Sequence, residues 1–120
     1  MKIVKIAEVK EEERMTPLFT GLTSSQPIIT AQMSKQFIIN QVNFGKSVVN
    51  KLHSHTSEQV LIVTKGRGIV ATETEQVKVG PGTVIIFPAG EKHWHGAQKG
   101  FAFSHITVTN QDSKTTQFEQ

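Results

Sequence analysis

The sequence predicts an all-β sandwich or barrel, and three observations carry that prediction. Short runs rich in β-branched and aromatic residues recur along the chain, glycine and proline punctuate them, and no stretch of comparable length has a 3.6-residue apolar period. With 120 residues there is room for one domain, residues 1–120, with a core over about 15–110.

The elements follow in order. The charge run Lys10–Arg14 reads as a solvated connector or a short helical turn, without chemistry. Thr23-Ser24-Ser25-Gln26-Pro27 reads as a loop. Strands are expected at Ile28–Ala31, Phe37–Phe44, Gln59–Thr64, Ile69–Thr72, Val77–Val79, Thr83–Phe87, His93–Ala97 and Phe101–Thr109. Gly66 and Gly68 flank Arg67 in what reads as a hairpin turn, and Pro81-Gly82 and Pro88-Ala89-Gly90 are turns bracketing a strand. Residues 111–120 are polar and lack apolar spacing, so a flexible tail is expected there unless a partner subunit holds it.

Composition narrows the function classes. Thirteen Lys and Arg against ten Asp and Glu give a net charge of +3, but the basic residues are scattered from Lys2 to Lys114, so no nucleic-acid partner is expected. The first residues lack an apolar core of signal-peptide length, and runs such as Val84-Ile85-Ile86-Phe87 are too short to span a bilayer. A soluble, cytoplasmic protein without a membrane partner is the expectation. There is no cysteine, so any metal here is bound through nitrogen and oxygen.

Two strands are apolar on both faces. In Gln59–Val63, Gln59, Leu61 and Val63 point one way and Val60 and Ile62 the other, while Val84–Phe87 is apolar throughout. A second sheet covers one side, and a second subunit covers the other in the homodimer expected here. An N-terminal segment folded over the outer face is the alternative.

The five histidines occur as His53-Ser54-His55, His93-Trp94-His95 and a lone His105. Residues i and i+2 of a strand share a face, so each pair can offer two imidazoles to one point. Imidazole is largely neutral near pH 7 and keeps a free lone pair, which makes it the commonest metal-binding side chain there. Two such pairs in one small β-domain point to a metal site.

The residues around the pairs resemble the cupin superfamily, small jelly-roll β-barrels (double-stranded β-helices) with a metal near one end. The first cupin signature runs Gly, five residues, His-x-His, three or four residues, Glu, six residues, Gly. Here Thr56-Ser57-Glu58 separates His55 from Gln59, and Gly66 follows after six residues. The second signature matches at Gly82, Pro88-Ala89-Gly90 and His93. Three positions depart from the pattern. Ser47 stands where the first glycine is expected, with Gly45 two residues earlier, which implies a wider turn; Ala97 replaces the final Asn; and the acidic ligand position holds Gln59, preceded by Glu58. Either Gln59 or Glu58 can be the fourth ligand. The six-residue count back from Gly66 favours Gln59, as does the strand face it shares with Leu61 and Val63.

A narrower resemblance lies in Phe19-Thr20-Gly21, the His-x-His-x3-Gln pattern, Leu61-Ile62-Val63-Thr64 and Gly90-Glu91-Lys92-His93-Trp94-His95-Gly96-Ala97. These look like the bacterial cupin hydroxynitrile lyases, which add cyanide reversibly to an aldehyde. The resemblance implies one divalent metal ion per chain, manganese favoured, held by His53, His55, Gln59 and His93; iron, zinc, nickel and cobalt also suit such ligands. It also implies a small-molecule substrate, with His105 as a general base. His95 is a candidate proton carrier because it shares a strand face with His93.

A three-His-plus-Gln set adds no negative charge, which favours Lewis-acid chemistry. Each of these histidines has a plainer reading, His95 as a structural hydrogen-bonder and His105 as a satisfied interior group. Trp94 points away from the ligands and reads as core or interface. Two other functions stay open: a metal-dependent dioxygenase and a non-catalytic small-ligand binder.

Overall fold

In the computed structural model, which describes all 120 residues, two antiparallel sheets enclose one apolar core. After a 3-10 turn at Ile6–Glu8, the strands are β1 (Glu12–Glu13), β2 (Thr23–Ile29), β3 (Phe37–Phe44), β4 (His53–His55), β5 (Gln59–Gly66), β6 (Gly68–Thr72), β7 (Gln76–Val79), β8 (Val84–Phe87), β9 (His93–Ala97), β10 (Phe103–Asn110) and β11 (Thr115–Gln117). One sheet has the order β1-β2-β3-β10-β5-β8 and the other β11-β4-β9-β6-β7. This is the jelly-roll arrangement that the cupin motifs implied. No helix is long and apolar enough to cross a membrane.

Alternation along the strands decides what lies inside. Leu61 and Val63 of β5, Val70 of β6, Val79 of β7, Phe87 of β8, Ala97 of β9 and Phe44 and Phe103 of β3 and β10 form one buried cluster with Val48. Phe44 and Phe103 pack with ring centroids 5.9 Å apart. Successive inward residues then grade from apolar to polar. Phe103, His105 and Thr107 follow one another on β10, and Ala97, His95 and His93 on β9 in reverse order.

Several expectations are corrected. Thr23–Pro27 is strand, not loop: β2 pairs with β3, its Thr23 and Ser25 are buried, and Gln26 and Gln41 bond to each other across the sheet. Polar side chains hid this strand, because their partners lie on other strands. Pro27 is tolerated because the two residues of β1 pair only with Ser24 and Ser25, leaving the β2 backbone beyond them at an edge. Lys10–Arg14 is exposed, as a solvated connector should be, but extended: Glu12 and Glu13 form β1.

The tail is also corrected, because residues 115–117 pair with β4. Gly66-Arg67-Gly68 is not a hairpin but the corner at which the chain passes from one sheet to the other. Gly66 turns that corner at φ +77°, and a Cβ on Gly68 would come within 2.2 Å of the Phe103 ring. Ser47 keeps the left-handed turn that the motif assigns to glycine, at φ +65°, so the turn has not moved to Gly45. Hydrogen bonds hold it there, from Ser47 N to Phe101 O and from Gly100 N to Ser47 Oγ.

The outer face of the larger sheet is divided. Over β2 the N-terminal segment lies on the sheet, with Gln26 Nε2 donating to the Ile6 and Val9 carbonyls. Over β5 and β8 the face is open: Val84 is 63% exposed, Ile86 58% and Ile62 36%. The N-terminal segment therefore leaves the outer face of the two-faced strands β5 and β8 uncovered.

Phe103→Ala is expected to cost about 3–5 kcal/mol in urea unfolding, as a large aromatic lost from a closed core. Gly68→Ala should be destabilising in the wild type and much less so in the Phe103→Ala background, because the removed ring is what the new methyl strikes.

Candidate metal centre

His53 and His93 are direct cross-strand partners on β4 and β9, with ring centroids 4.4 Å apart. His55, two residues along β4, completes a group in which one nitrogen from each of the three imidazoles lies within 4.8 Å of the others. Gln59 and Phe87 are paired across β5 and β8, and the Phe87 ring stacks on His93 at 3.8 Å. The strands thus deliver the four residues without an active-site loop.

The hydrogen bonds fix which atoms face inward. His53 Nδ1–H donates to Lys51 O at 2.6 Å, and His93 Nδ1–H donates to Glu91 O at 2.8 Å. A carbonyl only accepts, so both neutral rings carry their lone pair on Nε2. His55 Nδ1 meets Thr115 Oγ1 at 2.9 Å, and its Nε2 is buried without a partner. Gln59 Nε2 donates to Thr107 Oγ1 at 2.8 Å, which turns Oε1 towards His93 Nε2, 3.0 Å away.

That last contact joins two acceptors. In this orientation of the Gln59 amide no proton lies between the imidazole lone pair and the amide oxygen, and a cation bound between them balances their approach. The orphaned His55 Nε2 asks for the same thing. The donor set therefore fits a divalent metal ion bound by N and O, through His53, His55 and His93, with Gln59 Oε1 facing the same point. Glu58 is exposed, so it is Gln59 that reaches the cluster.

Burial lowers the pKa of His53, His55 and His93 to about 4 each. For His53 and His93 a backbone hydrogen bond partly opposes this, and the neighbouring imidazoles lower all three further. At pH 7 all three are neutral, as ligation requires.

His95 and His105 lie beneath this layer, 3% and 1% exposed. Asn50 sets their tautomers. Its Oδ1 accepts the His95 backbone N–H at 2.7 Å, so its Nδ2 faces His95 Nε2 at 3.2 Å and donates to it. His95 must then carry its proton on Nδ1, which donates to His105 Nε2 at 3.2 Å. The His105 proton falls on Nδ1, which is buried and unpartnered. Burial holds His95 well below the ordinary histidine range, with His105 adding to the effect, and burial lowers His105 to about 4.

A cavity of about 280 Å³ opens above the cluster. His55 and Gln59 form its floor; Leu18, Phe19 and Val42 supply its apolar wall; and Arg14, Asn40 and six hydroxyl residues line the rest. His105 is not itself in that lining, although its cross-strand partner Val42 and its same-face neighbour Thr107 are. Trp94 faces away from the ligands, into a surface groove with Arg67 and Phe101.

Asn50, Phe87, Thr107 and Thr115 escaped the sequence reading. Only Thr107, two residues from His105 on one strand face, carried a signal that could have found it.

Residues 41–108, more than half of the chain, match the sequence profile of the cupin domain. The chain is a cupin. It is 31% identical over 109 residues to an (R)-mandelonitrile lyase of Granulicella tundricola, covering 90% of this chain and 83% of that one. Among solved structures, a cupin-like protein from Thermotoga maritima superposes with a TM-score of 0.87 at 24% identity, covering 98% of this chain and 90% of that one. The polyketide cyclase RemF from Streptomyces resistomycificus gives 0.89 at 21%, covering 100% and 87%. These two likenesses show the cupin fold. The family includes enzymes, and in this cupin His53, His55 and His93 bring their ring nitrogens close enough together to hold a metal ion.

Two outcomes follow. Thr115→Val removes the acceptor that orients His55 and should weaken metal binding about 10-fold, measured by competition with a chromophoric chelator. In the metal-free protein, the cluster imidazoles titrate near 6.5 when unfolded and about 4 when folded. The unfolded state binds more protons in that window, so stability is full above pH 6.5 and falls as the pH drops towards 4. Each imidazole contributes at most roughly 3 kcal/mol. Urea unfolding at pH 7.5 and pH 5 reads the difference, and His53→Gln should reduce it.

Proposed function

We propose that this cupin is a metal-dependent lyase of the hydroxynitrile type, cleaving a cyanohydrin to an aldehyde and cyanide and catalysing the reverse addition. The observation that carries the reading is the uncharged donor set of three neutral imidazoles and the Gln59 amide oxygen, of which His55 and Gln59 form the floor of a cavity. A divalent cation held there, manganese by preference, supplies Lewis-acid chemistry to the substrate oxygen, with its charge undiminished by any carboxylate ligand. The likeness to the mandelonitrile lyase supports the same choice.

In cleavage, the hydroxyl loses its proton, the carbon–cyanide bond breaks with its electron pair going to cyanide, and the cyanide is protonated. His105 is the proposed proton carrier. It is neutral at pH 7, and its lone pair sits on Nε2, where His95 Nδ1–H now occupies it at 3.2 Å. To act, His105 requires the substrate hydroxyl to reach past the layer of His53, His55 and His93 and take that lone pair from His95, and the imidazolium so formed returns a proton to cyanide. His95 assists by holding the ring, and Asn50 fixes the tautomers of both. His105→Ala should lower mandelonitrile cleavage by about 10²-fold or more in the manganese-loaded protein while leaving metal content unchanged. Undiminished turnover would exclude this role, and iron-dependent oxygen uptake without cyanide release would replace the lyase reading with an oxygenase one.

The proposal extends to a homodimer in which a second copy covers the open apolar face at Ile62, Val84 and Ile86. Ile86→Glu should then convert a dimer to a monomer in sedimentation equilibrium; a wild-type monomer would contradict it.

A further inference from the structure

The cavity above the cluster has a mostly polar lining, whereas the cyanohydrin that the relative's name records carries an aryl ring. Three of its thirteen lining residues are hydrophobic. Six bear hydroxyls, two are amides (Asn40 and Gln59), one is His55, and one, Arg14, is a cation; no carboxylate lines it. Since the donor cluster below is also uncharged, nothing in the cavity offsets the positive charge of Arg14.

Arg14 is exposed, but its guanidinium is anchored to β2. Its backbone N–H is fixed to Thr23 O at 2.7 Å, and its Nε donates to Ser25 Oγ at 2.8 Å. Ser25 is buried, on the inward face of β2 opposite Val42. That bond uses one of the five guanidinium N–H groups, and the terminal pair makes no hydrogen bond to a side chain or carbonyl of the chain. A guanidinium with its terminal fork free is suited to bidentate pairing with a carboxylate. A second group in the same cavity is unsatisfied: Ser113 Oγ is buried and has no partner. A buried hydroxyl without a partner is costly, and an oxygen-rich ligand relieves it.

We infer that the non-reacting part of the substrate is a carboxylate, paired with the Arg14 fork, on a small molecule whose remaining oxygens are met by the cavity hydroxyls. The substrate class is a hydroxy- or oxo-carboxylate in place of an aryl carbinol. The inference rests on the cavity's being the substrate site of the proposed reaction, but its test does not depend on that reaction.

The experiment is isothermal titration of lactate and of its neutral counterpart lactamide into the zinc-loaded protein, the metal-free protein and two variants, Arg14→Gln and Arg14→Lys. Lactate should bind the loaded wild type about tenfold tighter than lactamide, the preference one charge-assisted pair supplies. Arg14→Gln should reduce that ratio to about threefold or less, Arg14→Lys should retain part of it, and the metal-free protein should keep the Arg14-dependent share. Equal binding of the two ligands by the wild type, or an undiminished preference in Arg14→Gln, overturns the inference. Cyanide release from mandelonitrile is scored separately. Release together with equal binding overturns the carboxylate inference and leaves the lyase reading standing, whereas an Arg14-dependent preference without release does the reverse.

Discussion

The approach of His93 Nε2 to Gln59 Oε1 brings two acceptors together, in an orientation of the Gln59 amide that a cation between them favours. Two lone pairs meet at 3.0 Å, and each is aimed there by a hydrogen bond on its far side, from His93 to Glu91 O and from Gln59 to Thr107 Oγ1. Burial removes the usual escape, because protonating His93 requires acid near pH 4. The surrounding fold supplies the constraint: β9 and β5 belong to different sheets, and each presents its residue by strand alternation. A divalent cation held there by His53, His55, His93 and Gln59 would turn this repulsion into coordination.

Layering explains how a chain of this size tolerates so much polarity inside. Phe44 and Phe103 close the apolar end; His95 and His105 form a neutral hydrogen-bonded layer with Asn50; His53, His55, His93 and Gln59 form the next; and hydroxyl groups line the opening. Apart from the facing acceptors His93 Nε2 and Gln59 Oε1, three buried atoms are left without any partner: His55 Nε2, His105 Nδ1 and Ser113 Oγ. All three belong to the cluster, to the histidine layer beneath it or to the cavity above it. Unsatisfied buried groups are expensive, and their concentration here is what marks the site chemically.

Much of the site was legible because strand alternation and motif spacing are both local properties. His-x-His at 53–55, the six residues from Gln59 to Gly66 and the Pro88-Ala89-Gly90 turn before His93 located the donors before any pairing was known. What stayed hidden depends on contacts distant in sequence. Thr23–Pro27 looks like a loop until its polar side chains find partners on β3, and the polar tail looks loose until Thr115 meets His55, 60 residues away. Asn50 carries no pattern at all, yet it sets two histidine tautomers across 45 residues of separation. Ser47 shows the converse: the motif's position for a left-handed turn is kept while its glycine is not.

Manganese-soaked crystals measured on either side of the manganese absorption edge test the account at its centre. It predicts one anomalous peak per chain, within bonding distance of Nε2 of His53, His55 and His93 and of Oε1 of Gln59. No peak between those atoms, or one held by Glu58 with Gln59 turned away, would contradict it.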